Sequence, residues 1–459
     1  MELTREWIAS ATGGRIVGAS ANGPVLDHVG NGIAFDSRTL EPGQVFVAVR
    51  GDRDGHDFVA DADARGAAFA LVDRPIDGYA VVEVADVRVA LAHAAAAGCR
   101  RLGAKVVGIT GSVGKTSTKD LTGAVLRARF RTHAAPASFN NEIGVPFTVL
   151  GASDDSEMVV VEMGARFAGN IAELCAIAPP DVGVITNIGL THAEHLGGPH
   201  GVAAVKGELL DALPAGGLAV ISADCAATAG QRDRSAAPIM TVGADIGSDV
   251  RVSELIVGPE LHPRFRLETP WGGGVVTLGV RGAHQASNAA QAATVALHLG
   301  VPLDAVLDAL SRAESTGWRM QLRENAGGVV VLNDAYNASP VATIAAVRAL
   351  ADLPVAGRRI AVIGDMRELG PWSEPEHARV GAAVSDAGID ILVAVGAETG
   401  PLAEAAASTV AVHRVADADA ARILVAGLAV RGDAVLVKAS RAVGLEVVAL
   451  MLLGDEVIA

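Results

Sequence analysis

The sequence predicts an α/β protein of three domains, and three observations carry that prediction. Short apolar strands alternate with helical stretches twice along the chain. In the middle they are Lys105–Thr110, Met158–Glu162, Val182–Asn187 and Leu218–Ser222, and toward the end Val329–Leu332, Arg359–Ile363, Ile391–Val395 and Ala434–Val437. Strands apolar on both faces and separated by helices form mostly parallel sheets covered on both sides. The length, 459 residues, is more than one hydrophobic core usually organises. Half of the residues are hydrophobic but only 3% are aromatic, so the cores are expected to be built from Ala, Val and other small aliphatic side chains.

Taken in order, the first hundred residues read as short strands and turns. Val45–Val49 is a strand bounded by Pro42-Gly43 and Gly51. Phe58–Arg65 reads as a helix, Phe69–Val72 as a strand and Val87–Leu102 as an Ala-rich helix. The pattern changes at Lys105, where a strand runs into a Gly-rich turn and then a helix over Lys115–Arg129. Glu254–Val280 is strand-rich with Gly and Pro turns, Asn288–Leu299 is helical, and a second alternating unit starts near Trp318. The expected domains are therefore 1–103, 104–317 and 318–459.

The formal net charge of −15 argues against binding nucleic acid or an anionic membrane through bulk charge. It leaves room for a phosphate ligand, which is held by local backbone N–H groups and a few cations. Cys99, Cys175 and Cys225 form neither a CxxC pair nor a zinc spacing. Met1–Gly14 carries Glu2, Arg5 and Glu6 and no apolar core of a signal peptide. No apolar run is long enough to span a bilayer. A soluble, cytoplasmic protein without membrane insertion is expected.

The chemistry concentrates at strand ends. Thr110, Gly111, Ser112, Val113, Gly114, Lys115, Thr116 and Ser117 join a strand to a helix. Glycines there let successive N–H groups turn toward phosphate oxygens at the positive end of the helix. Lys115 can reach terminal phosphates and the Thr116 hydroxyl can hold magnesium. The match to the general phosphate-loop pattern is imperfect, since Ile109 stands where the first Gly would fall. Glu162 ends a strand, where a carboxylate can face the ligand crevice and bind magnesium; alone, it reads as an exposed strand-end residue. His192 fits a metal ligand or a surface residue equally, and the absence of partner cysteines removes the case for zinc. Lys206, early in a helix, reads by default as a solvated side chain. Asn333–Asn337 and Lys438–Arg441 close two strands of the last unit, and Arg319 lies at its start. Cations on one domain facing a phosphate loop on another suit an enzyme that closes to react.

Several segments, in this order, resemble the Mur ligases over nearly the whole chain. They are FDSRTLEPGQVFVAVRGDRDGHDF from Phe35, ITGSVGKTSTKD from Ile109, SFNNEIGVPFTVL from Ser138, VEMGARFAGNI from Val161, ITNIGLTHAEHLG from Ile185, KGE at Lys206, NDAYNASP from Asn333, GDMRELG from Gly364 and KASR from Lys438. The resemblance implies an N-terminal UDP-sugar domain, a central ATP-binding domain and a C-terminal Rossmann-like domain. It implies ATP-dependent amide ligation through an acyl phosphate. FNNEIGVP, NDAYNASP and GDMRELG favour addition of D-alanyl-D-alanine to a UDP-N-acetylmuramoyl-tripeptide over the sibling activities, another amino-acid-adding Mur enzyme or folylpolyglutamate synthase.

The resemblance also implies roles. Lys115 and Thr116 would meet the ATP phosphates and a first magnesium. Glu162 and His192 would bind a second, with Lys206 carbamylated into an anionic ligand. Asn288 would lie beside adenine, and Arg319, Asp334 and Asn337 would meet the nucleotide from the last domain. Ser37 and Arg38 would hold the UDP-sugar, and Asn140 and Asn141 would line the substrate cleft. A monomer is implied. Ser222, Gln285, Ser339 and Ala439 depart from the residues common in the family; the first two bear on adenine contact and the last two are expected in nucleotide-facing loops.

Overall fold

The computed structural model describes residues 1–18, 29–135 and 137–455. Its largest sheet has nine strands, in the order Gly272–Thr277, Pro263–Thr269, Val250–Val257, Ile239–Gly243, Leu218–Ser222, Val182–Ile185, Lys105–Thr110, Met158–Glu162 and Thr132–Ala134. The seven from Val250–Val257 onward are parallel, and the first two add an antiparallel meander. Neighbouring side chains along a strand point to opposite faces. Accordingly Val106, Val159 and Val161 enter one core, while Val107, Ile109 and Val160 enter the other.

Two helices on the second face explain the Ala-rich composition. Gln285–His298 packs against Lys115–Arg127 and is buried along almost its whole length. Its alanines, Ala286, Ala289, Ala290, Ala292, Ala293 and Ala296, let the two backbones approach closely. Its buried polar side chains are hydrogen-bonded, Gln291 Nε2 donating to the Thr186 carbonyl and Thr294 Oγ1 to the Ala290 carbonyl, as burial requires. Its first residue is Gln285, three before the Asn288 expected from sequence, because Gln285 N–H and Ala286 N–H already donate to the Gly282 and Ala283 carbonyls.

The six-stranded sheet has the order Gln321–Glu324, Val330–Asn333, Ala434–Lys438, Arg359–Gly364, Ile391–Val395 and Ala411–Val415, parallel except for its first strand. It too is covered on both faces, Ala361 and Ile363 facing one core and Ile360 and Val362 the other. A five-stranded sheet runs Arg15–Val17, Val81–Glu83, Phe69–Val72, Val45–Val47 and Ile33–Ala34. Glu2–Thr4 and Val29–Asn31 form a separate antiparallel pair.

The sequence reading of the first hundred residues needs two changes. The strand from Val45 stops at Val47, because Val49 N–H turns back to the Val47 carbonyl and Gly55 N–H donates to the Val49 carbonyl. The helix expected over Phe58–Arg65 is a short 3₁₀ turn, Gly55–Phe58, capped by the Asp54 carboxylate, followed by an α-helix over Val59–Ala64. The five-stranded sheet owns only half a core. Phe46, Ala48 and Ala70 pack on one side. Val45, Val47 and Leu71 pack through the helix Val87–Leu102 into the same apolar cluster as Val145, Val149, Leu150 and Ile171 of the central part. The Met1 ammonium is hydrogen-bonded to the Ala152 carbonyl across that junction. Among the described residues no helix is long and apolar enough to cross a membrane.

Candidate active site

In an open parallel sheet, ligands bind beyond the C-terminal strand ends where the strand order switches direction. Here Lys105–Thr110 lies between Met158–Glu162 and Val182–Ile185, so the turn 111–114, Glu162 and Thr186-Asn187 converge on one crevice. Gly111 has φ 146°, and a Cβ there would stand 1.9 Å from Thr186 Oγ1. Gly114 has φ 82°, and a Cβ there would stand 2.7 Å from Asn288 Oδ1. Both positions thus need glycine for conformation and for space. The turn is pinned from outside: Ser112 Oγ donates to the Gly189 carbonyl at 2.8 Å and Val113 N–H donates to Asn187 Oδ1 at 3.0 Å.

Lys115 Nζ curls back to donate to the Gly111 and Ser112 carbonyls at 2.8 and 3.2 Å. Burial lowers its pKa, opposed by Glu162 and reinforced by Arg319. Thr116 Oγ1 donates to Glu162 Oε2 at 2.7 Å and lies 2.7 Å from Ser138 Oγ. Asn140 Nδ2 donates to Glu162 Oε1 at 2.7 Å. Glu162 is 1% exposed, unlike the exposed strand-end residue that sequence alone favours. Ser117 Oγ accepts from Gln285 Nε2, and Gln285 Oε1 in turn accepts from Asn288 Nδ2 at 2.8 Å.

The last sheet reaches this cluster. Arg319 Nη2 donates to Thr116 Oγ1 at 2.8 Å and to Ser138 Oγ at 2.9 Å. Its guanidinium lies 4.0 Å from the centre of the Tyr336 ring, a cation–π contact that orients it. The residues on either side, Trp318 and Met320, have φ of 60° and 51°. Asp334 accepts from Met320 N–H and, through Oδ2, from Lys438 Nζ at 2.5 Å; Lys438 also donates to the Asn337 carbonyl at 2.8 Å.

Lys206 is 2% exposed, not on a solvated face. Burial, then the neighbouring Lys115, pushes its pKa down to about 7, against the opposing pull of Glu162 and Glu208. His192 is hydrogen-bonded through Nδ1 to the Glu368 carboxylate, and burial lowers its pKa against that carboxylate. Among the described residues no three His, Cys, Asp or Glu side chains form a ready metal cluster. Glu162 and His192 line one cavity with Lys206.

That cavity, about 1350 Å³, is lined by residues 112–117 and by Asn288, Arg319, Asp334 and Asn337. Thr110 is buried just beneath it, its hydroxyl donating to the Met163 carbonyl at 2.7 Å. Ser37 and Arg38 line a different cavity of about 690 Å³, together with Phe35 and Phe139. Ser138, Asn140 and Asn141 line both. The Arg38 guanidinium is paired with Asp36 at 2.8 Å and holds that carboxyl below its usual range.

Of the four departures, Ser222, Gln285 and Ser339 line the large cavity. Ala439 does not: it is fully buried in the apolar core behind the strand end, packed against Gly364, and the expectation that it faces the nucleotide is corrected. Sequence reasoning gave no role to Ser138, Glu368, His284 or Lys119. Buried Lys119 donates to the Ala135 and Ala137 carbonyls at 2.5 and 3.0 Å, fixing the segment that presents Ser138. Only the Lys-Thr of the phosphate loop pointed near it.

This site, a phosphate loop in a parallel sheet met by cations from a second sheet, belongs to a nucleotide-using enzyme. Residues 109–296 match the Mur ligase middle domain and 318–441 the Mur ligase glutamate ligase domain. A UDP-N-acetylmuramoyl-tripeptide--D-alanyl-D-alanine ligase of Mycobacterium tuberculosis is 39% identical, over 99% of this chain and 98% of that one. A crystal structure of MurF from Acinetobacter baumannii superposes with a TM-score of 0.85 at 30% identity, covering 99% of both chains. MurF from Thermotoga maritima in complex with ADP gives 0.77 at 30% identity, over 93% of this chain and 97% of that one. The chain belongs to the Mur ligase family.

Proposed function

We infer that the protein joins D-alanyl-D-alanine to a UDP-N-acetylmuramoyl-tripeptide with ATP, as the names of its full-length relatives state of those proteins. The observation that carries this reading is the pair of cavities meeting at Ser138–Asn141. One suits a nucleotide-sugar beside Ser37 and Arg38. The other suits ATP at residues 110–117, with Asn288 toward the base and Arg319, Asp334 and Asn337 toward the nucleotide from the last domain. The tripeptide would pass between them along Asn140 and Asn141, its terminal carboxylate arriving at the γ-phosphate.

In the first step that carboxylate attacks the γ-phosphorus and ADP leaves, giving an acyl phosphate. Lys115 and Arg319 offset the charge of an anion approaching a polyanion. In the second step the dipeptide amine attacks the acyl carbon and phosphate leaves. Docking of the last sheet excludes water from the acyl phosphate.

The donor set fits divalent metal: Thr116 Oγ1 lies 2.7 Å from both Ser138 Oγ and Glu162 Oε2, a set of oxygens such as a hard cation requires. Thr116 and Glu162 would hold one magnesium, and Glu162, His192 and Lys206 a second. When bound, magnesium supplies charge neutralisation at the phosphates. Lys206 suits carbamylation, because burial pushes its pKa down to about 7, and the neutral amine, populated at neutral pH, can attack carbon dioxide. A monomer working in the cytoplasm, where ATP is available, completes the reading, with domains divided near 103 and 317.

The test is phosphate release from ATP and magnesium with the UDP-tripeptide present and the dipeptide supplied or omitted. Release that needs both, with a pentapeptide product by mass, is expected. Release driven by a single amino acid instead would assign a sibling activity.

A further inference from the structure

The loop after the strand Arg359–Gly364 has no part in the mechanism above, yet it meets the central part at several points. The Glu368 carboxylate bonds to His192 Nδ1 and lies 3.5 Å from Arg166 Nη2. The Glu368 carbonyl accepts from Glu194 N–H at 3.3 Å. Trp372 covers Gly198, where a Cβ would stand 2.7 Å from the indole ring. Glu368 and His192 both adopt left-handed backbone, with φ of 63° and 56°. Non-glycine residues hold that conformation only where surrounding contacts enforce it. The enforcing contacts exist on the Glu368 side: His377 Nε2 accepts from Met366 N–H at 3.1 Å, and Ser440 Oγ accepts from Arg367 N–H at 2.9 Å.

We propose that Glu368 is a positioning residue that couples docking of the C-terminal sheet to the orientation and tautomer of His192. A neutral imidazole carries one proton. Donating it from Nδ1 to Glu368 leaves the Nε2 lone pair free for a cation, as carboxylates behind ligating histidines generally do. Glu368 comes from the last sheet and His192 from the central one, so the imidazole is set only when the two are docked. The metal part of this inference rests on the reading of His192 given above; the tautomer part does not.

The test uses the full chain with ¹⁵N-labelled histidine, free of metal and above the imidazole titration range, with H192N assigning the resonance. Wild type is expected to show His192 protonated at Nδ1. E368Q, whose amide oxygen still accepts, keeps that tautomer, and E368A moves toward the Nε2–H form. In the same samples Mn²⁺ alone is expected to bind about 10–100-fold more weakly to E368A, with E368Q between. A His192 that stays Nδ1–H in folded E368A overturns the proposal. Unchanged Mn²⁺ affinity in H192N would remove the metal reading of His192 while leaving the tautomer result to decide the positioning role.

Discussion

At the scale of single residues, two lysines of the site, half-buried Lys115 and buried Lys206, make opposite demands. Lys115 has carbonyl partners on its own loop that ATP phosphates would replace. Lys115→Ala is expected to lower kcat by at least about 10²–10³-fold, the usual loss when one preorganised charge is removed, with the melting temperature unchanged or raised. Wild-type turnover in that variant would refute the phosphate role. Lys206 has no hydrogen bond or ion pair among the described residues, and its burial is costly. Because its folded pKa falls to about 7 from an ordinary value near 10.4, the unfolded chain holds a proton that the folded one lacks between those values. Stability therefore rises with pH across that window and falls as pH drops toward 7, below which the difference is constant. Lys206→Met, denatured at several pH values without bicarbonate, is expected to lose this slope and be more stable than wild type at neutral pH. Activity should fall severely in Lys206→Ala and recover in part with an added short carboxylate. A variant with the wild-type pH slope would show that Lys206 is charged in the folded protein.

At the scale of elements, the turn 111–114 ties conformation to function. Gly111→Ala would force a Cβ into Thr186 Oγ1, whose hydroxyl donates to the Val113 carbonyl at 2.6 Å and so braces the same turn. The expected outcome is loss of nucleotide affinity by tenfold or more in a calorimetric titration, with far-UV circular dichroism unchanged because the flanking strand and helix have their own cores. Unaltered affinity would show that the turn accommodates a side chain. The elements that were legible in the sequence are those buried on both faces. Lys105–Thr110, Met158–Glu162, Leu218–Ser222 and Ile391–Val395 read correctly to both ends, because a central parallel strand must be apolar throughout. The strand Thr132–Ala134 escaped notice because it is three residues at a sheet edge and half-buried. The site was legible where a motif carries its own geometry, as at 110–117. It was not where a side chain acquires meaning from a distant partner. Ser138 is an ordinary serine until Thr116 and Arg319 meet it. Glu368 was visible within GDMRELG but gains its role only from His192, which lies 176 residues earlier.

At the scale of the whole molecule, the question is which parts stand alone. Residues 1–103 supply the helix Val87–Leu102, whose Ala90, Leu91, Ala94 and Ala95 share one cluster with Val145, Val149 and Leu150. Gly98 lies so close to this junction that a Cβ would be 3.2 Å from Leu150 Cδ2 and from Met1 Cε. Removing residues 1–103 would uncover Val145, Val149, Leu150 and Ile171 together, at about 1.5–3 kcal/mol for each large apolar side chain left in water. That sum is comparable with the entire stability of an ordinary domain. The chain 104–459 is therefore expected to aggregate or to melt well below the full protein, whatever ligand is added. The junction with the last sheet is of another kind. Leu190, Val257 and Leu261 join the apolar core of the last sheet and Trp372 packs against the central one, but the side-chain hydrogen bonds of Arg319 with Thr116 and Ser138 and of Glu368 with His192 are polar contacts that can open and reform. Arg319→Ala should leave the melting temperature nearly unchanged but prevent compaction on adding an ATP analogue and the UDP-tripeptide, as read by small-angle scattering. Arg319→Lys should not restore it, since one ammonium cannot serve both hydroxyls and the Tyr336 face as a planar guanidinium does. Compaction equal to wild type in Arg319→Ala would mean that docking is driven elsewhere, with the Trp372–Gly198 contact as the next place to cut.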